Sequence, residues 1–68
     1  MNQDTLNMEI RKFLKKVGIS SQREIEHAIE EAIGNGKLSG TESLAVSMTL
    51  ELPGLDIKHR LEGSIKLE

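Results

Sequence analysis

The residues most suggestive of chemistry lie in a glycine-rich loop, residues 34–41. Such loops cradle phosphates when a Gly-Lys pair is followed by Ser or Thr and when the loop leads from a strand into a helix. Here Lys37 is followed by Leu38, and the flanking patterns indicate a helix before the loop and a strand after it. We therefore interpret the loop as a connector and expect no nucleotide or other cofactor.

The two histidines are the next candidates. His27 is predicted on a solvated helix face among charged residues, where an ion pair is its expected role. His59 is predicted on the apolar face of a strand. It is either a histidine at the core margin or a pH-sensitive group at a dimer seam, since burial disfavours the charged imidazolium. No Glu or Asp stands at metal-ligand spacing from either histidine, so we expect no metal site.

Groups for catalysis are scarce elsewhere in the chain. There is no cysteine, and no serine lies in a G-x-S-x-G context. Four glutamates are predicted around an exposed helix face, where carboxylates are poor general acids at neutral pH: Glu24, Glu26, Glu30 and Glu31. We expect that the protein is not an enzyme.

Composition limits how such groups can be held in place. The 68 residues correspond to one domain, residues 1–68, and Phe13 is the only aromatic residue. A core of this size seldom supplies more than about 3–5 kcal/mol without disulfides, metal or oligomerisation. With no cysteines, oligomerisation is the reinforcement that remains open. The net charge of −2 with mixed signs indicates an ordinary soluble surface.

No apolar run approaches the ~20 residues of a membrane span, and the polar start does not resemble a signal peptide. We expect a cytoplasmic protein that does not enter a membrane.

Two amphipathic helices are predicted first, over residues 4–17 and 21–34. Apolar residues recur every three or four positions in both segments. Gly18 is suited to end the first helix, and Ser21 with Glu24 forms the pattern of a capping box that would start the second. At the N-terminus Asn2 and Asp4 are both possible caps.

The apolar period changes from 3.6 to 2 after residue 43, which predicts strands over residues 43–52 and 55–66. Pro53-Gly54 between them indicates a hairpin turn. If Leu52 and Leu55 flank this turn, the predicted cross-strand pairs are Leu50 with Ile57, Met48 with His59, and Val46 with Leu61. Because Pro-Gly favours a type II turn whose twist splays hairpin strands, a wider or bulged loop is the alternative.

The predicted fold is α+β, with a helical hairpin packed in a second layer on an antiparallel β-hairpin. A two-stranded sheet is marginal alone and has two open edges. We therefore predict a homodimer, formed edge to edge or by packing across a two-fold axis, with a candidate seam at Met48, His59 and Ile65. A monomer with a frayed C-terminus is the alternative.

A second candidate surface lies on the first helix, on the face away from the apolar stripe. It consists of one exposed apolar residue and three cations: Met8, Arg11, Lys12 and Lys15. The leading functional hypothesis is a small protein–protein interaction module in which this surface contacts an unidentified protein partner.

A helix-turn-helix-like nucleic-acid binder is the alternative function, because Gly18-Ile19-Ser20 resembles the turn of that motif. The four glutamates of the second helix oppose it, since groove binding depends on cations that release counterions. We expect no binding to nucleic acid.

Residues 4–18 and 20–26, with Pro53-Gly54-Leu55 as a second landmark, resemble a family of small bacterial proteins of about this length, a domain of unknown function. The resemblance extends over nearly the whole chain. It implies a bacterial, cytoplasmic protein without an assigned activity, and it carries no catalytic residues to this sequence.

Overall fold

A computed structural model describes all 68 residues of the chain. Helix α1 (Gln3–Gly34) is followed by strand β1 (Ser43–Leu52), a short 3₁₀ turn (Pro53–Leu55) and strand β2 (Ile57–Lys66). The strands form one antiparallel two-stranded sheet, so the predicted α+β class is confirmed. The chain divides into two compact units, residues 1–37 and 38–68, which we describe one at a time. A single domain over residues 1–68 stays a prediction.

The prediction of two helices was wrong, because α1 runs without a break through Gly18 and Ser21. A helical glycine costs only about 1 kcal/mol relative to alanine, whereas ending one helix and starting another leaves several backbone groups without helical partners. The apolar stripe also stays in phase across the centre, from Val17 to Ile25. Continuing the helix therefore satisfies both the backbone and the stripe.

Both ends of α1 are capped. The Asn2 side chain accepts a hydrogen bond from the Thr5 amide at 3.1 Å, which decides between the two possible N-caps in favour of Asn2. At the C-terminus the Lys37 amide donates to the Ala32 carbonyl at 2.9 Å, and Gly36, at φ 83°, donates to Ile33. This pair of bonds is a Schellman ending, and its positive φ is one that glycine adopts without strain.

The first strand has the predicted bounds, but the second begins at Ile57 rather than at residue 55. The predicted cross-strand pairs are also wrong. The pairs in the structure are Leu52 with Ile57, Leu50 with His59, Met48 with Leu61, Val46 with Gly63, and Leu44 with Ile65. This register differs from the predicted one by two residues, and a shift of two keeps every side chain on its predicted face.

The turn explains the register. Four residues, rather than two, connect the strands, and three of them form the 3₁₀ turn. Asp56 follows at φ 52°, with its amide 3.3 Å from the Pro53 carbonyl. The wider loop is therefore the alternative that the structure adopts, because proline suits the first helical position and aspartate tolerates the left-handed conformation.

Candidate functional site

The apolar stripe of α1 has a more regular spacing than its two predicted halves suggest. Its members follow one another at intervals of four, four and three residues: Leu6, Ile10, Leu14, Val17, Ser21, Ile25, Ala28 and Ala32. This is an 11-residue repeat, which averages about 3.67 residues per turn and stays close to one side of a straight helix. The stripe therefore runs along almost the whole 32-residue helix.

No side chain of this helix is fully buried. The large apolar residues of its first half are exposed, with Phe13 at 53% and Leu14 at 54%. Val17, Ser21, Ile25, Ile29 and Ala32 are half-buried. The stripe is thus an apolar surface that the single chain leaves open to water along its N-terminal half.

Charge divides the helix into two halves of opposite sign. Residues 3–18 carry four cationic side chains and two carboxylates. Residues 19–34 carry four carboxylates and one cation, Arg23. Because of the helix macrodipole, carboxylates stabilise a helix near its N-terminus and cations near its C-terminus. The charges of α1 are arranged the other way round. The division of charge is therefore not explained by stabilisation of an isolated helix.

The predicted partner surface lies opposite this stripe. Met8, Arg11, Lys12 and Lys15 are all exposed, Met8 at 67%. At about 100° per residue the four side chains fall within one face of α1. Met8 and Arg11 border a shallow hollow together with Asp4 and Asn7.

The hairpin separates apolar and polar residues between its two faces. One face carries the apolar pairs from Leu44 with Ile65 to Leu52 with Ile57, and the other carries residues such as Thr49 and Arg60. On the polar face Arg60 Nε lies 3.1 Å from Glu62 Oε1. The apolar face is open, with Leu61 at 54% exposure.

The predicted seam residues all belong to this apolar face. Met48 lies opposite Leu61 and is 39% exposed. His59 lies opposite Leu50 rather than Met48, because the wider turn moves the register. Ile65 lies opposite Leu44 at the end of the sheet far from the turn, where the Leu67 amide adds one more bond to the Glu42 carbonyl. The structure therefore places the three residues on one face but spreads them along its length.

Sequence reasoning missed Glu42, whose carboxylate organises the connector. Glu42 Oε2 accepts hydrogen bonds from the Ser39 amide at 2.9 Å and the Ser39 hydroxyl at 3.2 Å. Its other oxygen accepts from the amides of Gly40 at 3.0 Å and Thr41 at 3.1 Å. The Ser39 amide has the largest effect on the pKa of Glu42, and desolvation, the next largest, acts in the opposite direction. With further bonds from the backbone of Glu42 and Gly40 and from the Ser39 hydroxyl, the pKa is lowered from 4.5 to about 2.

The connector thus binds an anion, but this anion is the Glu42 carboxylate of the same loop and not a phosphate. A carboxylate offers about four lone-pair sites, and Glu42 uses four. The signal in the sequence was the run Ser39-Gly40-Thr41 directly before an acidic residue, with Gly40 able to adopt its φ of 101°. Consecutive amides in such a turn form a concave anion site.

His27 is exposed on α1, and its Nε2 lies 3.8 Å from Glu31 Oε2, one helical turn further on. The structure groups no three histidine or carboxylate side chains where they could hold one metal ion. The turn required by the helix-turn-helix alternative is absent, because residues 18–20 are helical. That alternative was therefore wrong in its structural premise.

Along α1, no stretch combines the length and the apolar character needed to cross a membrane. These features define a small α+β protein in which one amphipathic helix and one amphipathic hairpin each carry an exposed apolar face. A family model described as "Family of unknown function (DUF6494)" matches residues 1–68, and the chain belongs to this family. The resemblance to a family of unknown function is thereby confirmed. Neither the curated proteins nor the solved structures gave a match.

Proposed function

We propose that this protein is a small, non-enzymatic protein–protein interaction module that acts as a homodimer. The observation that carries the proposal is the exposure of large apolar side chains on both elements, including Phe13, Leu14 and Leu61. Contiguous apolar surface that a single chain leaves open is typical of sites for other macromolecules.

Neither unit contains a partner for its own apolar face. The first unit has one helix, and the second has one layer of sheet. Hydrophobic burial is the dominant favourable contribution to folding, and a two-stranded hairpin is at best marginally stable without a packed face. A further layer is therefore required, either from the other unit or from a second chain.

We propose that the helix and the hairpin form two layers, which would account for part of this surface. At about 3.3 Å per residue, each 10-residue strand spans about 33 Å, whereas the 32-residue helix spans about 48 Å. The hairpin is shorter than α1, so apolar surface of the helix is left for a second copy.

The proposed seam on the hairpin consists of Met48, His59 and Ile65. Because these residues are spread along one face, they suit a contact in which the partner lies along the sheet rather than at its tip. His59 would then lie inside this contact.

The hydrogen bonding of Glu42 supports the proposal that the protein is not an enzyme. Glu42 is the group with a clearly shifted pKa, and its oxygens are occupied by donors of its own loop. A perturbed carboxylate is a candidate catalytic group only when it can reach a substrate. We place this activity in the bacterial cytoplasm, the setting that the family resemblance implies.

The second surface, formed by Met8, Arg11, Lys12 and Lys15, is proposed to bind an acidic segment of another protein. Three cations around one exposed methionine offer charge complementarity with an apolar anchor. Capture from cell extract should retain the same acidic protein on the wild type and on Lys58→Glu, a charge reversal on the hairpin. Loss on Lys12→Glu supports the surface, and equal retention by all three chains contradicts it.

Sedimentation over a concentration series tests the homodimer. We expect a monomer–dimer equilibrium that Met48→Asp shifts to monomer, since it buries a charge at the seam, while Ser47→Asp on the polar face leaves it unchanged. The wild-type melting temperature should also rise with concentration, because association stabilises the folded state. A wild type that stays monomeric up to millimolar concentration contradicts the proposal even if Met48→Asp fails to fold.

A further inference from the structure

We propose that the dimer, in addition to its hairpin contact, pairs the two α1 helices antiparallel about a two-fold axis near Ile19. This inference rests on the proposed homodimer and specifies its geometry. Ile19 lies close to the middle of α1, which runs from Gln3 to Gly34, so pairing about this point keeps the two helices in contact along their full length.

Six of the eight stripe positions are symmetric about that point. Leu6 and Ala32 lie at equal distances on either side of Ile19, as do Ile10 and Ala28, and Val17 and Ser21. Leu14 and Ile25 lie five and six residues away, so they are offset by one residue. When two copies align head to tail, the stripe of one therefore lies along the stripe of the other. The 11-residue repeat favours a slight right-handed coiling of the pair instead of the left-handed coiling that heptads impose.

The sizes of the side chains favour this direction over the parallel one. The first half of the stripe carries Leu6, Ile10 and Leu14, and the second half ends in Ala28 and Ala32. Antiparallel pairing places Leu6 opposite Ala32 and Ile10 opposite Ala28, so at both ends of the pair a large side chain meets a small one. Parallel pairing places alanine on alanine at one end and leucine on leucine at the other.

The charges favour the same direction. The half of α1 with four cations and two carboxylates would lie along the half with four carboxylates and one cation. Arg11, Lys12 and Lys15 lie on the face opposite the stripe, so the charges act between the two copies only through the summed field of each half. Antiparallel pairing places halves of opposite net charge side by side, whereas parallel pairing places halves of the same net charge together.

Distances between spin labels on the outer face of the helix test the direction. The chain has no cysteine, so single variants Met8→Cys, Ile19→Cys and Glu30→Cys each provide one label site. These positions are 11 residues apart, lie on the face opposite the stripe and are exposed, so the labels avoid the proposed contact. Circular dichroism of each variant checks that the helix is retained, and sedimentation checks that it is dimeric.

We expect the inter-subunit distances at Met8 and Glu30 to exceed the distance at Ile19 by at least about 10 Å. The reason is that labels eleven residues from the axis are offset along the helices by about 33 Å. Equal distances at all three sites would indicate parallel pairing and overturn the inference. A dimer with no inter-subunit distance at any helix site would overturn it too, while leaving the homodimer intact. A monomer in sedimentation would refute both.

Discussion

The helix and the hairpin differ in how far each is stabilised by contacts between residues that are close in sequence. An α-helix such as α1 is built from hydrogen bonds between residues four apart, and both ends of α1 are capped by neighbouring groups. The hairpin depends on pairs up to 23 residues apart, such as Ser43 with Lys66, and on a four-residue loop that sets their register. Local contacts form at little cost in loop entropy, whereas distant pairs require the loop to close first.

Their exposed faces differ correspondingly. The helix can exist as a backbone structure with its stripe open, although a long amphipathic helix is more stable when packed. The hairpin has no second layer in its own unit, and a two-stranded hairpin is at best marginally stable by itself. The comparison indicates that the hairpin has more to gain than the helix from packing against a further layer.

A charge on the apolar face of the hairpin should have the largest effect. Val46→Asp places a carboxylate on the half-buried face opposite Gly63, and we expect a loss of about 3 kcal/mol in the free energy of unfolding. Ala45→Asp, on the polar face of the same strand, is the matched control and should cost less than about 0.5 kcal/mol. Urea denaturation followed by circular dichroism measures both. Equal losses would mean that the two faces are wrongly assigned.

Alanine at the centre of the helix should have a smaller effect of opposite sign. A Cβ added to Gly18 meets nothing within 4 Å, so Gly18→Ala should raise the free energy of unfolding by about 1 kcal/mol. Gly36→Ala is the control, because its φ of 83° makes alanine unfavourable by about 1–2 kcal/mol. If both variants are destabilised, Gly18 ends a helix and α1 is two helices.

The smallest expected effect is a change in the connector between α1 and β1 when the pH is lowered. The pKa of Glu42 is lowered to about 2, so its hydrogen bonds contribute fully above pH 4.5 and are lost as the pH falls towards 2. We expect the amide resonances of Ser39, Gly40 and Thr41 to shift in that window. Glu42→Gln should remove the shift, while Glu51→Gln, on the polar face of β1, should leave it. A midpoint near 4.5 would show that the cradle does not hold the carboxylate.

Periodicity was the part of the sequence that predicted the structure well. The change from period 3.6 to period 2 located β1 at its observed bounds, and the faces of both strands were correct although the register was not. An error of two residues leaves the alternation intact, so the pattern could not reveal it. The exposed positions of Met8, Arg11, Lys12 and Lys15 also followed from helical spacing alone.

Local sequence signals for the ends of helices and strands predicted the structure less well. Gly18 and Ser21 have the composition of a helix end and a helix start, yet a glycine permits a left-handed turn without requiring it. Pro53-Gly54 likewise indicated a turn but not its length. Glu42 was missed because its role depends on the path of three preceding amides, which no spacing of side chains encodes.

By itself, then, the sequence determined the period of each element and therefore the side of each element on which apolar residues lie. Only the tertiary structure decided whether α1 continues through its centre, how many residues form the turn and which residues stand opposite one another. The physical reason is that apolar periodicity repeats over many residues and survives local errors. Helix continuation at Gly18 depends on a difference of about 1 kcal/mol between backbone conformations that the same residues can adopt. The length of the turn and the Glu42 cradle depend on the path of the backbone, which apolar periodicity does not encode.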